Sequence, residues 1–235
     1  MATNFLLGAA RSVLETRLIR RIVEGLDLHS DNRMRERGML AQAFEFTKMN
    51  GVSGDYFEFG LYDGRTFIYA HQMKHRYRCA DMILWGFDSF KGLPQIDDVR
   101  DNTWSDGQYA CSETDLRKIL RSEGLRDQEY RLVPGYYEYS LNNELHDKLA
   151  GRRAAIVYID CDLYTSAKLV LDFLPRYLVD GTIVCFDDFY CYKGSPDQGE
   201  QRALSEFLAG NNHIRFLPWS DYSPVGKSFI VRVGQ

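Results

Sequence analysis

The stretch IVYIDCDLYTSAKLVLDFLPRYLVDGTIVCFDDF, residues 156–189, limits the fold more than any other part of the chain. Two apolar runs, each of strand length, flank a spacer of helical length, and each run ends in a pair of aspartates. Uninterrupted apolar runs mark strands covered on both faces, and a strand–helix–strand order sets such strands parallel. Thr165 or Ser166 is the expected N-cap of the spacer helix, Pro175 its early end and Gly181 its stop. As neighbours in one sheet, about 5 Å apart, the two strands would bring Asp160, Asp162, Asp187 and Asp188 to one rim. Four like charges raise one another's pKa values, so the cluster calls for a cation, magnesium or a similar hard ion. The plainer alternative for any one of them is a helix cap or a solvent-facing side chain.

The texture around this stretch agrees with an α/β domain. From Gly54 onward the runs DYFEFGLYDG, MILWGFDSF, YRLVPGYY, IRFLPW and KSFIVRV add short strands separated by helix-length spacers. Upstream, Val13, Leu14, Leu18, Ile22, Val23 and Leu26, then Met39, Leu40, Phe44 and Phe46, recur at helical spacing. Residues 1–50 are therefore expected as an N-terminal helical cap or dimerisation segment, with Arg17, Arg20 and Arg21 on a solvated face, and 51–235 as the α/β domain. A homodimer or higher homo-oligomer is the expected assembly.

Composition narrows the partners. A net charge of −4 supplies no positive field for nucleic acid, and a small molecule is the expected ligand. Five cysteines, scattered and without a CxxC pair, read as free thiols in a reducing compartment rather than as a disulfide or zinc framework. No basic segment precedes FLLGAA and no window reaches the length of a membrane span, so the expectation is a cytoplasmic protein that does not engage a membrane.

The first strand and turn carry Glu58, Phe59, Gly60, Asp63 and Gly64, at the sheet end where open α/β sheets bind ligands. Gly60 and Gly64 do not complete the G-x-G-x-x-G that lets a backbone approach a pyrophosphate, which disfavours a nicotinamide-dependent oxidoreductase. S-adenosylmethionine, with an ammonium group and no pyrophosphate, fits an acidic strand end better. GFDSF ends the second strand, where Asp88, followed by Ser89, is placed to accept from ribose hydroxyls. Two other motifs compete. IDCDLYT partly matches the D-x-D-x-T of aspartyl phosphatases, but it comes late and puts Tyr164 in the fifth position. His71 and His75 in HQMKH stand at i, i+4 without the glutamate of H-E-x-x-H, and are expected at an exposed helix end. YRLVPGYYEYS reads as a strand with edge packing.

Taken in order, DYFEFGLYDGRTF, GFDSFKGLP, EGLRDQEYRLVPGYYEYSL, YIDCDLYTSAKLVLDFLPRYLVDGTIVCFDDF and GEQRALSEFL resemble the macrocin O-methyltransferase family of bacterial natural-product enzymes, from about Gly54 to Phe229. The resemblance implies a Rossmann-like class I methyltransferase fold, a mostly parallel seven-stranded sheet with flanking helices. It also implies S-adenosylmethionine, a divalent cation (usually Mg2+) and a small-molecule hydroxyl, typically on a natural-product sugar, as acceptor. Carried over by position, it makes Asp160, Asp187 and Asp188 metal ligands and Asp162 the general base, with Glu58, Gly60, Asp63 and Asp88 at the methyl donor. A dication lowers the pKa of a hydroxyl and a nearby carboxylate can take its proton, which is chemistry consistent with those roles. The chain departs from the family at Asp180–Gly181, where Gly-Gly is frequent, at DLYTSA in place of DLYEST, and at Tyr139, where an acidic residue is frequent. Those departures bear on the acceptor pocket and leave the aspartates intact. A protein of this fold that binds a ligand without catalysis is the further alternative.

Overall fold

The structure, a computed structural model, describes residues 35–96 and 103–234. The apolar pattern from Val13 to Leu26 and the arginines 17, 20 and 21 lie outside the described residues. Helix α1 covers 35–49 and turns Met39, Leu40, Ala43 and Phe44 inward at helical spacing. These four join Tyr56, Phe67 and Leu84 in one apolar cluster, so α1 packs on the same core as the sheet.

Seven strands follow: β1 (Asp55–Phe59), β2 (Leu84–Asp88), β3 (Tyr130–Pro134), β4 (Ala154–Ile159), β5 (Leu178–Phe186), β6 (Ile214–Asp221) and β7 (Lys227–Val233). Their order in the sheet is β3-β2-β1-β4-β5-β7-β6. The first five run parallel, while β7 enters antiparallel between β5 and β6. Every residue of β1 and β4 is buried, the pattern of strands covered on both faces. One face is covered by α1, α2 (Arg65–Arg76) and α3 (Glu113–Ser122). The short helices α4 (Tyr137–Ser140) and α5 (Asn143–Lys148), with α6 (Tyr164–Phe173) and α7 (Gly199–Gly210), lie toward the other. Strand alternation splits β1 between them: Phe57 and Phe59 enter the second cluster, where Phe59 stacks on Phe87 at 4.4 Å, and Tyr56 enters the first.

The helix of the crossover between β4 and β5 is capped at least two residues earlier than the sequence indicates. Helix α6 starts at Tyr164 with Leu163 at the N-cap, so neither Thr165 nor Ser166 caps it. The chain turns instead at Asp162, whose φ of 60° is bridged by a hydrogen bond from Leu163 N–H to the Cys161 carbonyl at 2.5 Å. Pro175 ends the helix as expected, in a single 3-10 turn over Leu174–Arg176. Gly181 is not the stop; it lies inside β5 with a φ of 87°.

β1 connects leftward to β2 and β4 lies on its other side, so the switch point of the sheet falls between β1 and β4. The two chains touch there. Gly60, just beyond β1, has a φ of 91°, and a Cβ added to it would lie 1.7 Å from the Asp160 carbonyl oxygen. Only glycine allows that approach. No helix among the described residues is long and apolar enough to cross a membrane.

Candidate active site

The carboxyl ends of the parallel strands open into a cavity of about 780 Å³. Gly60 comes from the turn after β1, Asp88 and Ser89 from the end of β2, Asp160 and Asp162 from β4, Asp187 and Asp188 from β5. The register fixes the last four: Ile159 pairs with Phe186, so each strand releases its aspartates at the same height. Asp187 N–H donates to the Ile159 carbonyl at 2.9 Å and locks that register.

Carboxylate oxygens of Asp160, Asp162 and Asp188 lie within 4.8 Å of one another. Asp162 and Asp188 are both buried, and their carboxylates face each other within that cluster. Burial, then the charge of Asp188, pushes Asp162 up to about 9. Burial, then the charge of Asp187, pushes Asp188 up to about 6, although Cys191 Sγ donates to its Oδ1 at 3.1 Å. Asp160 is raised well above the carboxylate range by burial and by its acidic neighbours. Asp187 is raised by burial, with relief from Tyr158, whose hydroxyl donates to Oδ1 at 2.6 Å, and from Tyr222 at 3.3 Å. That contact fixes one Asp187 oxygen and leaves the other for a further partner. The Asp188 N–H donates to the buried Glu200 carboxylate at 3.1 Å.

The opposite rim shows what a paired buried acid looks like. Asp55, at the start of β1, accepts from Arg152 at 2.6 and 2.9 Å, from Trp85 Nε1 at 2.9 Å and from the Ile83 N–H at 2.9 Å. None of the ion pairs among the described residues reaches Asp160, Asp162, Asp187 or Asp188. Buried anions without counter-charge are costly. Hard oxygen donors at this separation are the set that Mg2+ or a similar dication takes, so the residues fit such an ion.

The residues expected at a methyl donor divide. Gly60, Asp88 and Ser89 line the cavity; Glu58, Phe59, Asp63 and Gly64 do not. Glu58 points to the opposite face of β1 from Phe59, is 1% exposed and accepts from the Tyr56 hydroxyl at 2.5 Å. Phe59 is fully buried in the core. Asp63 pairs with Arg65 at 2.7 Å on the surface, and Gly64 caps α2 in a left-handed conformation. Asp88 holds the turns together: Oδ2 accepts from the N–H groups of Leu61 at 2.7 Å and Tyr62 at 3.3 Å, and Oδ1 from Phe90 at 2.6 Å. A carboxylate offers about four lone-pair positions, which leaves one for a ligand hydroxyl. Ser89 Oγ donates to the Gly92 carbonyl at 2.7 Å and closes the next turn.

Sequence reasoning passed over the aromatic wall. Tyr62, Trp104, Tyr109, Tyr136 and Tyr137 line the cavity, so GYYEYS is more than edge packing. Its signal was the Pro134–Gly135 pair, which ends β3 at the ligand rim and hands the next residues to the cavity. The HQMKH reading also changes, since His71 is buried at 7% exposure and only His75 is exposed.

Comparison with known proteins adds the lineage. The chain is 26% identical over 160 residues to the demethyldecarbamoylnovobiocin O-methyltransferase of Streptomyces niveus, covering 65% of this chain and 59% of that protein. It is 27% identical over 167 residues to the mycinamicin III 3''-O-methyltransferase of Micromonospora griseorubida, covering 67% and 63%. It thus spans about three fifths of the length of the curated relatives it matches. Among solved structures, the calicheamicin methyltransferase CalS11 superposes with a TM-score of 0.71 at 24% identity, over 90% of this chain and 85% of that one. TomG of Streptomyces achromogenes, an O-methyltransferase in complex with S-adenosylmethionine, superposes at 0.53 with 11% identity, over 84% and 80%. These neighbours share the class I methyltransferase fold, whose mostly parallel seven-stranded sheet is the one described above. Residues 25–212 match the macrocin O-methyltransferase (TylF) family, and the chain belongs to that family.

Proposed function

We propose that the chain is an S-adenosylmethionine- and divalent-cation-dependent O-methyltransferase acting on a hydroxyl of a small molecule, a natural-product sugar being the acceptor class that its relatives favour. One observation carries the reading: four aspartates, with no cationic side chain among the described residues paired to them, converge from two strands on a cavity at the switch point. The named relatives methylate hydroxyls of antibiotics, and a fold neighbour binds S-adenosylmethionine.

Asp160, Asp187 and Asp188 are the residues assigned to the cation, which when bound lowers the pKa of an adjacent hydroxyl. Asp162 is assigned as the base, and it stands in the same carboxylate cluster as Asp160 and Asp188, where it would be within reach of a hydroxyl held by the cation. Asp162 is raised to about 9 where no counter-charge is present; beside a bound cation its carboxylate would be ionised and able to take the acceptor proton as the acceptor oxygen attacks the sulfonium methyl carbon. A C–O bond forms, the C–S bond breaks, and its electron pair leaves on sulfur as neutral S-adenosylhomocysteine. Gly60, Asp88 and Ser89 are assigned to the donor, and the tyrosine wall to the acceptor, where it excludes water and fixes the angle of approach.

The test is release of S-adenosylhomocysteine across a panel of sugar and phenol acceptors, with and without EDTA. Turnover that survives EDTA sinks the cation role. A stability measurement checks the electrostatics separately. Asp162, raised from 3.8 to about 9, contributes stability that is complete below 3.8 and is lost as pH rises toward 9. Asp188 acts in the same sense up to about 6. The cation-free chain is therefore expected to lose thermal stability from pH 5 to pH 9, and Mg2+ to raise the melting temperature more at pH 9 than at pH 5. A Mg2+ shift independent of pH would contradict this.

A further inference from the structure

A second cluster of metal-type ligands stands on the other rim of the sheet. His71 and His75 occupy i, i+4 positions on α2, one above the other on the same face. Glu129, immediately before β3, closes against both. His75 Nε2 lies 2.9 Å from His71 Nε2 and 2.9 Å from Glu129 Oε1, and His71 Nε2 lies 3.3 Å from Glu129 Oε2.

Protons do not satisfy this triangle. A ring N–H carries one hydrogen in the ring plane, so His75 Nε2 can serve His71 or Glu129 but not both. If both imidazoles donate to Glu129, two N–H groups face each other at 2.9 Å. A single cation over the triangle takes a lone pair from all three residues at once. Zinc–nitrogen and zinc–oxygen bonds of about 2.0–2.2 Å in a tetrahedron set ligand atoms roughly 3.3 Å apart, close to the spacing here.

We propose that His71, His75 and Glu129 form a second metal site, for an imidazole-preferring dication such as Zn2+, that pins α2 to the edge strand β3. The surroundings are those of a ligand set. Arg126 donates to Glu129 Oε2 from its N–H at 3.2 Å and from Nε at 3.0 Å, which orients the carboxylate from behind and leaves Oε1 forward. Arg126 holds Glu129 well below the usual carboxylate range, while burial holds His71 below its ordinary value, so carboxylate and bare imidazole coexist at neutral pH. Lys74 Nζ stands 3.7 Å from Oε1, beyond hydrogen-bond distance, and its charge opposes any dication. That opposition excludes weakly held hard ions and selects the tighter end of the Irving–Williams order. The site does not depend on the aspartate cluster. Glu129 precedes β3 at its amino end, whereas the aspartates follow β4 and β5 at their carboxyl ends.

The full chain, stripped with a chelator and held in excess Mg2+ to occupy the aspartates, is titrated with ZnCl2 by calorimetry, and its melting temperature is read with and without Zn2+. One Zn2+ per chain and a raised melting temperature are expected. His75→Ala, at an exposed position that burial does not constrain, is expected to weaken binding at least about 10-fold. Glu129→Gln, nearly isosteric, is expected to do the same. The proposal is overturned if the parent chain takes up no Zn2+ under Mg2+, or if His75→Ala binds Zn2+ with the parent's affinity and stoichiometry.

Discussion

Asp162→Asn is expected to lower turnover about 10²–10⁴-fold, the range that a positioned general base supplies. The variant is clean for a structural reason. Asp162 sits at a φ of 60°, and asparagine is one of the few residues that tolerates that region, so the turn into α6 keeps its shape. The same variant separates two roles for the side chain. Its carboxylate oxygens converge with those of Asp160 and Asp188, the geometry of a ligand, whereas the family resemblance makes Asp187 the third ligand and Asp162 the base. A base leaves the Mg2+ midpoint within about 10-fold of the parent, because no metal contact is lost. A larger shift with proportionate loss of rate would move Asp162 into the ligand set and leave Asp187 in Tyr158's hold. Unchanged turnover would remove it from the chemistry altogether.

Gly60→Ala is expected to cost stability on a scale that few surface-loop changes reach. The added Cβ meets backbone, at 1.7 Å from the Asp160 carbonyl oxygen and 2.8 Å from its carbon, so no flexible side chain can give way. Overpacking of about 1–3 kcal/mol adds to backbone strain of about 1–3 kcal/mol at a φ of 91°. Together these lower the melting temperature by roughly 10 °C in a domain of this size. Gly124→Ala is the control: its φ of 85° is similar, but nothing lies within 4 Å of an added Cβ. Equal losses in the two variants would mean that strain alone is at work and that β1 and β4 can part at the switch point.

The sheet was legible because its central strands are buried on both faces, and burial writes itself into sequence as unbroken apolar runs. AAIVYI and TIVCF are such runs, and they pair in the register that brings the four aspartates together. The donor side was harder, since an acid at a strand end looks the same whichever face it takes. Glu58 and Asp88 both end strands, yet one faces Tyr56 in the core and the other lies at the cavity with three backbone N–H groups in its hold. Strand alternation alone could have flagged the difference, because Glu58 precedes the strand's last residue and Asp88 is the last. The start of α6 escaped prediction because Asp162 makes the turn through its own backbone, which no capping residue announces. His71 and Glu129 are 58 positions apart, and nothing short of the fold brings them together.

The hydroxyl of Tyr222 reaches the Phe186 carbonyl at 2.8 Å and Asp187 at 3.3 Å, and it lies between β6 and β7, the last two strands of the sheet. Synthesis from the amino end therefore delivers all four aspartates before the strand that closes over β5. Until β7 docks, β5 is an open edge, and the Asp187 carboxylate keeps its contact from Tyr158 but lacks the one from Tyr222. A cation at the aspartates thus has no finished cage to enter in a nascent chain. Held as proposed, it would act as a latch on the completed sheet, set after the final hairpin has folded back.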